Sequence, residues 1–233
     1  MNKIPRIIHQ IWSGIDGPLP EQFRIFGETW KSCYPDWKYI LWDNRMMNAF
    51  IQEYYPQYWE GYNSFHYNVQ RWDAIRYLIL YKMGGMYVDF DYESLEPMDS
   101  LLRDKECCFS LEPDIHSPKP GQIYFNNAMM LSIPRHFFMK RIIDYVFSRE
   151  SLDFDWHDKG ACIMRTAGPE MLVKQYSMLK DEEREKVFLI PAKHVTPFNR
   201  YHLRRLFQGD RSDDLEECLN EAYAVHYFFN TWV

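Results

Sequence analysis

Apolar residues in this chain fall in short extended runs that alternate with stretches of helical period, and that alternation sets the predicted elements. Lys3 to Trp12 (KIPRIIHQIW) is a β-rich run ended by Ser13-Gly14 and the turn residues Asp16-Gly17-Pro18, and it reads as a buried first strand. After Pro20, the positions of Phe23, Phe26 and Trp30 define one face of a helix that Tyr34-Pro35 closes. A second strand spans Trp37 to Trp42, and Asp43 or Asn44 can cap a helix from Arg45 to about Tyr55. The order β-α-β-α favours an α/β fold with a substantially parallel sheet.

The most regular helical stretch runs from Val69 to Met83, with Val69, Trp72, Ile75, Ile79 and Met83 in phase and Gly84-Gly85 as a left-handed stop. On that helix Arg71 and Lys82 face outward, while Asp73 and Arg76 face inward. The inward pair either bond to each other or bind a ligand. Gly85 to Glu93 reads as one continuous strand, whose alternation puts Tyr87, Asp89 and Asp91 on one face and Val88, Phe90 and Tyr92 on the other. Two carboxylates one strand repeat apart, roughly 7 Å between Cα atoms, need a cation, donors or water beside a core. A divalent metal would satisfy them; a solvent-facing hairpin is the alternative.

Beyond Glu93 the pattern predicts a turn at 94–99 leading to a short helix, strands at 107–111 and 124–131, helices at 136–147 and 169–179, and a strand at 187–190. Residues 193–215 are charged and left unassigned, whereas 222–233 are too apolar for a free tail and are expected to pack back. With 233 residues and no repeat or linker, the expectation is one domain, 1–233, around one core.

Composition narrows the chemistry. A net charge of −6 argues against broad attraction to nucleic acid. Aromatics at 18% suit surfaces that handle sugars or bases, as well as aromatic-rich cores. Five cysteines with no C-x-x-C pair argue against a disulfide framework. No apolar run is long enough to span a bilayer and no signal-peptide order is present at the start, so a cytoplasmic location is expected.

IPRIIHQIW at the start, YILW at 39–42 and RWDAIRYLILYKMGGMYVDFD at 71–91 resemble the DxD glycosyltransferases of family 32. That family includes bacterial polysaccharide transferases, yeast initiating mannosyltransferases and, more distantly, the clostridial glucosylating toxins. The resemblance resumes at Asn126-Asn127, Ala167-Gly168-Pro169 and the closing His226 to Trp232. It implies a GT-A fold, a Rossmann-like nucleotide-binding sheet flanked by helices, with residues 1–100 as the nucleotide-sugar half and 101–233 as the acceptor half with a C-terminal lid.

The resemblance also implies roles. Asp91 would ligate Mn²⁺ or Mg²⁺ on the donor diphosphate, and Asp89 would hold the ribose with a direct or water-mediated metal contact. Asp73 and Arg76 would contact the donor sugar, and Tyr87 either donates to a phosphate oxygen or is a packed strand residue. Trp12 either stacks on the base or is an ordinary core Trp. Asn126 or Asn127 would lie below the sugar. His226 either completes the metal shell or is a core residue, and Trp232 would cover the diphosphate, with Thr231 where the family has Ser. Tyr-Phe-Phe-Asn between His226 and Thr231 departs from the family's more Trp- and Gly-bearing pattern.

The expected activity is therefore metal-dependent, retaining transfer of a hexose to a hydroxyl of a glycan or lipid-linked acceptor. The expected donor is a UDP-hexose, although mannosyl relatives use GDP-mannose. The expected setting is bacterial surface polysaccharide synthesis, with peripheral contact at the inner membrane face. A nucleotide-sugar or phosphate-ester hydrolase, or a non-catalytic glycan-binding module, is the alternative.

Overall fold

A computed structural model of the protein describes residues 3–229. The first half follows its local chemistry. β1 (Ile7–Ile11) leads through α1 (Glu21–Cys33) to β2 (Lys38–Trp42), and α2 (Asn44–Tyr54) starts where the Asp43 carboxylate accepts the Met46 N–H at 2.7 Å. α3 (Trp59–Ser64) and α4 (Asn68–Met83) then lead to β3 (Gly85–Val88) and β4 (Tyr92–Ser94). The second half contains β5 (Cys107–Leu111), β6 (Phe125–Ser132), α5 (Phe137–Val146), α6 (Arg149–Leu152), α7 (Lys159–Thr166), α8 (Pro169–Ser177) and α9 (Asp181–Arg184). β7 (Phe188–Ile190), α10 (Ala192–Val195), α11 (Arg200–Phe207), α12 (Asp213–Glu217) and β8 (Ala224–His226) complete it.

Six strands form the central sheet in the order β2-β1-β3-β6-β5-β7. β1 pairs parallel with β2 and β3, and β5 with β7, while β6 runs antiparallel to both β3 and β5. Strand alternation splits the core between two faces. Tyr87 packs with α4-side residues such as Ile75, Ile79 and Phe109, whereas its neighbours Met86 and Val88 pack with Trp30, Tyr34 and Leu131. The single expected core is thus two layers on a covered sheet, with a satellite of Phe198, Leu203, Leu215 and Val225.

The α4–β3 junction admits only glycine. Gly84 has φ 66°, and a Cβ there would lie 2.7 Å from Pro134 and 2.8 Å from the Ser132 carbonyl; at Gly85, φ 101°, it would lie 2.5 Å from the Ile7 carbonyl. His9 braces this bend. Its Nε2 donates to the Gly84 carbonyl at 2.9 Å, and its Nδ1 accepts the Trp42 indole N–H at 3.1 Å, so β1, β2 and the bend are tied through one neutral ring.

Three expectations need correction. The strand from Gly85 does not continue to Glu93: it ends at Val88, the chain turns at Phe90-Asp91 with the Tyr92 N–H on the Asp89 carbonyl at 3.2 Å, and β4 joins β8 in a separate two-stranded sheet. The Trp30 indole, donating to the Tyr92 carbonyl at 3.0 Å, holds the turned chain over α1. The short helix expected after the turn at 94–99 is replaced by further turns, with the Leu101 and Leu102 N–H groups on the Met98 carbonyl. Residues 193–215, left unassigned, form most of α10, all of α11 and the start of α12.

Candidate active site

A cavity of about 650 Å³ opens at the carboxyl ends of β1, β3 and β5, where an α/β sheet places ligand sites. Trp12 follows β1, Asp89 and Asp91 follow β3, and Glu112 follows β5. Because β6 runs the other way, its first residues, including Asn126 and Asn127, meet the same edge. α4 contributes Asp73 and Arg76, and His226 comes from the end of β8.

The inward pair on α4 bond to each other and also line the cavity. Arg76 Nη2 lies 2.8 Å from Asp73, while Nη1 reaches Asp89 at 3.3 Å and donates to the Asn127 carbonyl at 2.9 Å. Its guanidinium stacks 4.5 Å over the Tyr87 ring, whose hydroxyl donates to Asp89. One cation therefore faces a buried carboxylate, Asp73, and a partly exposed one, Asp89. Burial pushes the Asp73 carboxyl up to about 7 against the pull of Arg76, and burial likewise raises Asp89, with Asp91 adding to the rise.

Asp91 sits differently. Burial opposes its charge, yet His226 and the Phe229 N–H, 3.1 Å from Oδ2, hold its carboxyl below the usual range. His226 Nε2 lies 3.3 Å from Asp91 Oδ1, and that carboxylate raises the imidazole above its ordinary value despite burial. The ring is clamped between Tyr92, stacked at 4.2 Å, and Phe228 at 3.9 Å. The β4–β8 pairing, with Tyr92 opposite His226, brings the two together from distant parts of the chain.

This geometry fits a divalent cation. Two groups bound at about 2.1 Å in adjacent positions stand about 3 Å apart, and Asp91 Oδ1 and His226 Nε2 are separated by 3.3 Å. Three carboxylates, Asp73, Asp89 and Asp91, line the cavity beside the single Arg76 guanidinium. Asp89, engaged by Tyr87 and Arg76, is turned toward those partners, and among the described residues no three His, Cys, Asp or Glu side chains form a complete metal shell. An ion held here would take its remaining ligands from phosphate oxygens and water.

Trp12 is half-buried and lines the cavity, its indole N–H on the Gly17 carbonyl at 2.9 Å and its ring edge-on to Phe23 and Phe90. Asn127 Nδ2 donates to Tyr77 Oη at 3.0 Å, and Asn126 Oδ1 accepts from Ser110 Oγ at 2.8 Å and the Ala128 N–H at 3.0 Å. Trp232 and Thr231 lie outside the described residues. As far as Phe229 the closing segment packs on α1, with Tyr227 stacked 5.0 Å from Phe26 and its hydroxyl donating to Glu93 at 2.5 Å.

Sequence reasoning missed Glu112, His116, Tyr124, Arg200 and Phe228, all of which line the cavity. Glu112 had a usable signal, since it directly follows an apolar run read as a strand, at the edge where Trp12 and Asp89 follow theirs. The others come from loops and from α11, where no periodicity points inward.

Comparison with known proteins gives the family and the fold. Residues 20–108 match a family described as glycosyltransferase sugar-binding region containing DXD motif. Inositol phosphoceramide mannosyltransferase 3 of Schizosaccharomyces pombe is 39% identical over 232 residues, covering 98% of this chain and 60% of that protein. Inositol phosphoceramide mannosyltransferase 1 of the same organism is 31% identical over 195 residues, covering 82% of this chain and 57% of that protein. The chain thus spans a little over half the length of these relatives. The solved PaToxG glycosyltransferase matches in fold, with a TM-score of 0.54 at 16% identity, over 95% of this chain and 89% of that one. The chain belongs to the DXD-containing glycosyltransferases and has their GT-A fold.

Proposed function

We propose that this protein transfers a hexosyl group, mannosyl by the names of its relatives, from a nucleoside diphosphate sugar to a hydroxyl of a phosphoinositol-type glycolipid, with a divalent cation and retention of configuration. The relatives' names favour a glycolipid acceptor; nothing in them supports the bacterial polysaccharide setting expected from the sequence. The observation that carries the reading is the Asp91–His226 pair, 3.3 Å apart beside two further carboxylates, Asp73 and Asp89.

Asp91 and His226 would hold Mn²⁺ or Mg²⁺, which offsets charge on the departing diphosphate. Arg76, locked by Asp73, Asp89 and the Asn127 carbonyl, presents a fixed planar cation to the sugar side of the site. Trp12 offers a half-buried aromatic surface for the base. Arg200 lines the cavity, and its guanidinium has no hydrogen bond or ion pair among the described residues, which suits an acceptor that carries a phosphate. An acceptor of this kind brings the protein to a membrane surface, although no described helix is long and apolar enough to cross one.

The test is a thermal-shift screen of UDP, GDP and their hexose conjugates with and without Mn²⁺, followed by transfer assays on inositol phosphoceramide in detergent micelles. Metal-dependent stabilisation by one nucleotide, and a rate of donor consumption that rises with acceptor, are expected. Consumption that ignores acceptor would make the protein a hydrolase, and metal-independent or absent nucleotide binding would refute the reading.

A further inference from the structure

In the same cavity, beyond Phe228 from the Asp91–His226 pair, stands a second polar cluster that the family motif does not reach. Its centre is Glu112, at the end of β5, whose side chain is only 9% exposed, with His116 beside it at 5%. The Phe228 ring links the two sides: it meets His116 edge-on at 5.0 Å and His226 at 3.9 Å.

The hydrogen bonds leave one protonation pattern. The Arg200 backbone N–H donates to His116 Nε2 at 3.1 Å, so that nitrogen carries a lone pair and the ring proton sits on Nδ1. Nδ1 then donates to Glu112 Oε2 at 3.0 Å. Asn126 is fixed in the same way. Its Oδ1 is occupied by Ser110 Oγ and the Ala128 N–H, so Nδ2 is the group turned to Glu112 Oε1, at 3.3 Å.

Each carboxylate oxygen thus receives one neutral donor and keeps capacity for another. No Lys or Arg pairs with this carboxylate among the described residues, so its charge is unmatched by a salt bridge. A buried, orientationally fixed carboxylate with free acceptor capacity, on the wall of a cavity large enough for a sugar, suits a hydroxyl donor. A phosphate would be repelled.

We propose that Glu112 is the hydrogen-bond acceptor for a sugar or cyclitol hydroxyl in the cavity, and that His116 is its positioning residue. This rests on the glycosyl-transfer reading above. The hydroxyl belongs either to the donor hexose or to the acceptor headgroup, and the two sources give different kinetics.

The experiment compares wild type with Glu112→Gln, His116→Ala and His116→Asn, using GDP-mannose and UDP-glucose with Mn²⁺ and inositol phosphoceramide micelles. Binding of GDP and UDP with Mn²⁺, followed by thermal shift, reports the fold and the diphosphate site separately. Glu112→Gln is expected to bind the nucleotide within about twofold of wild type while transfer efficiency falls about 10- to 100-fold, the range for a lost bond to a buried charged group. If acceptor-free donor hydrolysis keeps its rate, the hydroxyl is the acceptor's, with the loss concentrated in acceptor KM; if hydrolysis falls in parallel, it is the donor sugar's.

His116→Asn keeps an amide N–H near the Nδ1 position and should retain transfer within about threefold, whereas His116→Ala should lose about tenfold or more. Equal losses in these two variants would overturn the positioning role. Transfer by Glu112→Gln within about twofold of wild type would overturn the subsite while leaving the proposed function standing. A wild-type protein that binds neither nucleotide with Mn²⁺ would overturn both.

Discussion

The two walls of the cavity are built in opposite ways. The acidic core of the Asp89/Asp91 wall comes from one stretch of chain, in which α4 delivers Asp73 and Arg76, two glycines turn the backbone, and the turn after β3 supplies both acids, with His226 added from β8. The Glu112/His116 wall has no such motif: its two side chains, four residues apart, are fixed by Asn126 at the start of β6 and by the backbone of Arg200, 84 residues from His116. The first wall concentrates charge around one cation, as a metal and diphosphate require. The second holds a single carboxylate with neutral donors, as a hydroxyl requires.

The largest effect should fall on the first wall. Asp91→Asn removes the charged group facing His226 and should lower turnover by about 100- to 1,000-fold, measured at saturating donor. Wild-type turnover in this variant would dissolve the contrast between the walls.

The brace beneath that wall should be acid-sensitive. Burial pushes His9 down to about 4 from its ordinary 6.5, although its bond to Gly84 works the other way. The unfolded chain therefore binds the proton first as pH drops, and stability falls from about pH 6.5 toward pH 4, by on the order of 3 kcal/mol from this group. Denaturant unfolding of wild type and His9→Gln across that window checks the sign. The variant should be weaker at pH 7 but lose less on acidification; parallel curves would count against it.

Arg76→Lys should cost about tenfold in turnover, roughly 1.4 kcal/mol, because an ammonium cannot serve Asp73, Asp89 and the Asn127 carbonyl from one plane. Steady-state kinetics would expose the alternative, a helix salt bridge that tolerates the exchange. The smallest effect is expected from Asp89→Asn in ligand-free protein, which relieves repulsion from Asp91 and Asp73. Its unfolding free energy should match wild type or exceed it by up to about 1 kcal/mol, and a clear loss would show that Asp89 is an anchor for Arg76 first.

The same contrast explains what the sequence made legible. Period and turn residues located β1, α1, β2, α2, α4 and β5 to within a few residues, and the inward phase of Asp73 and Arg76 followed from helix geometry alone. The two acids were grouped correctly for the wrong reason: they meet because the chain turns at Phe90-Asp91, and that turn depends on Trp30, 62 residues from Tyr92. Helices of one or two turns, such as α6 and α9, offer too few positions for a period to show. Glu112 escaped because its role is set by tertiary neighbours with no motif around it. His226 was placed by resemblance, and the pairing of β8 with β4 is what brings it to Asp91.

The central claim is that Asp91 and His226 form a metal site for a nucleoside diphosphate. Isothermal calorimetry tests it most directly, titrating UDP and GDP into wild type and Asp91→Asn with Mn²⁺ or with EDTA. Saturable binding of one nucleotide by wild type in Mn²⁺, lost with EDTA and in Asp91→Asn, is the predicted result. Binding of equal affinity in all these conditions would contradict it.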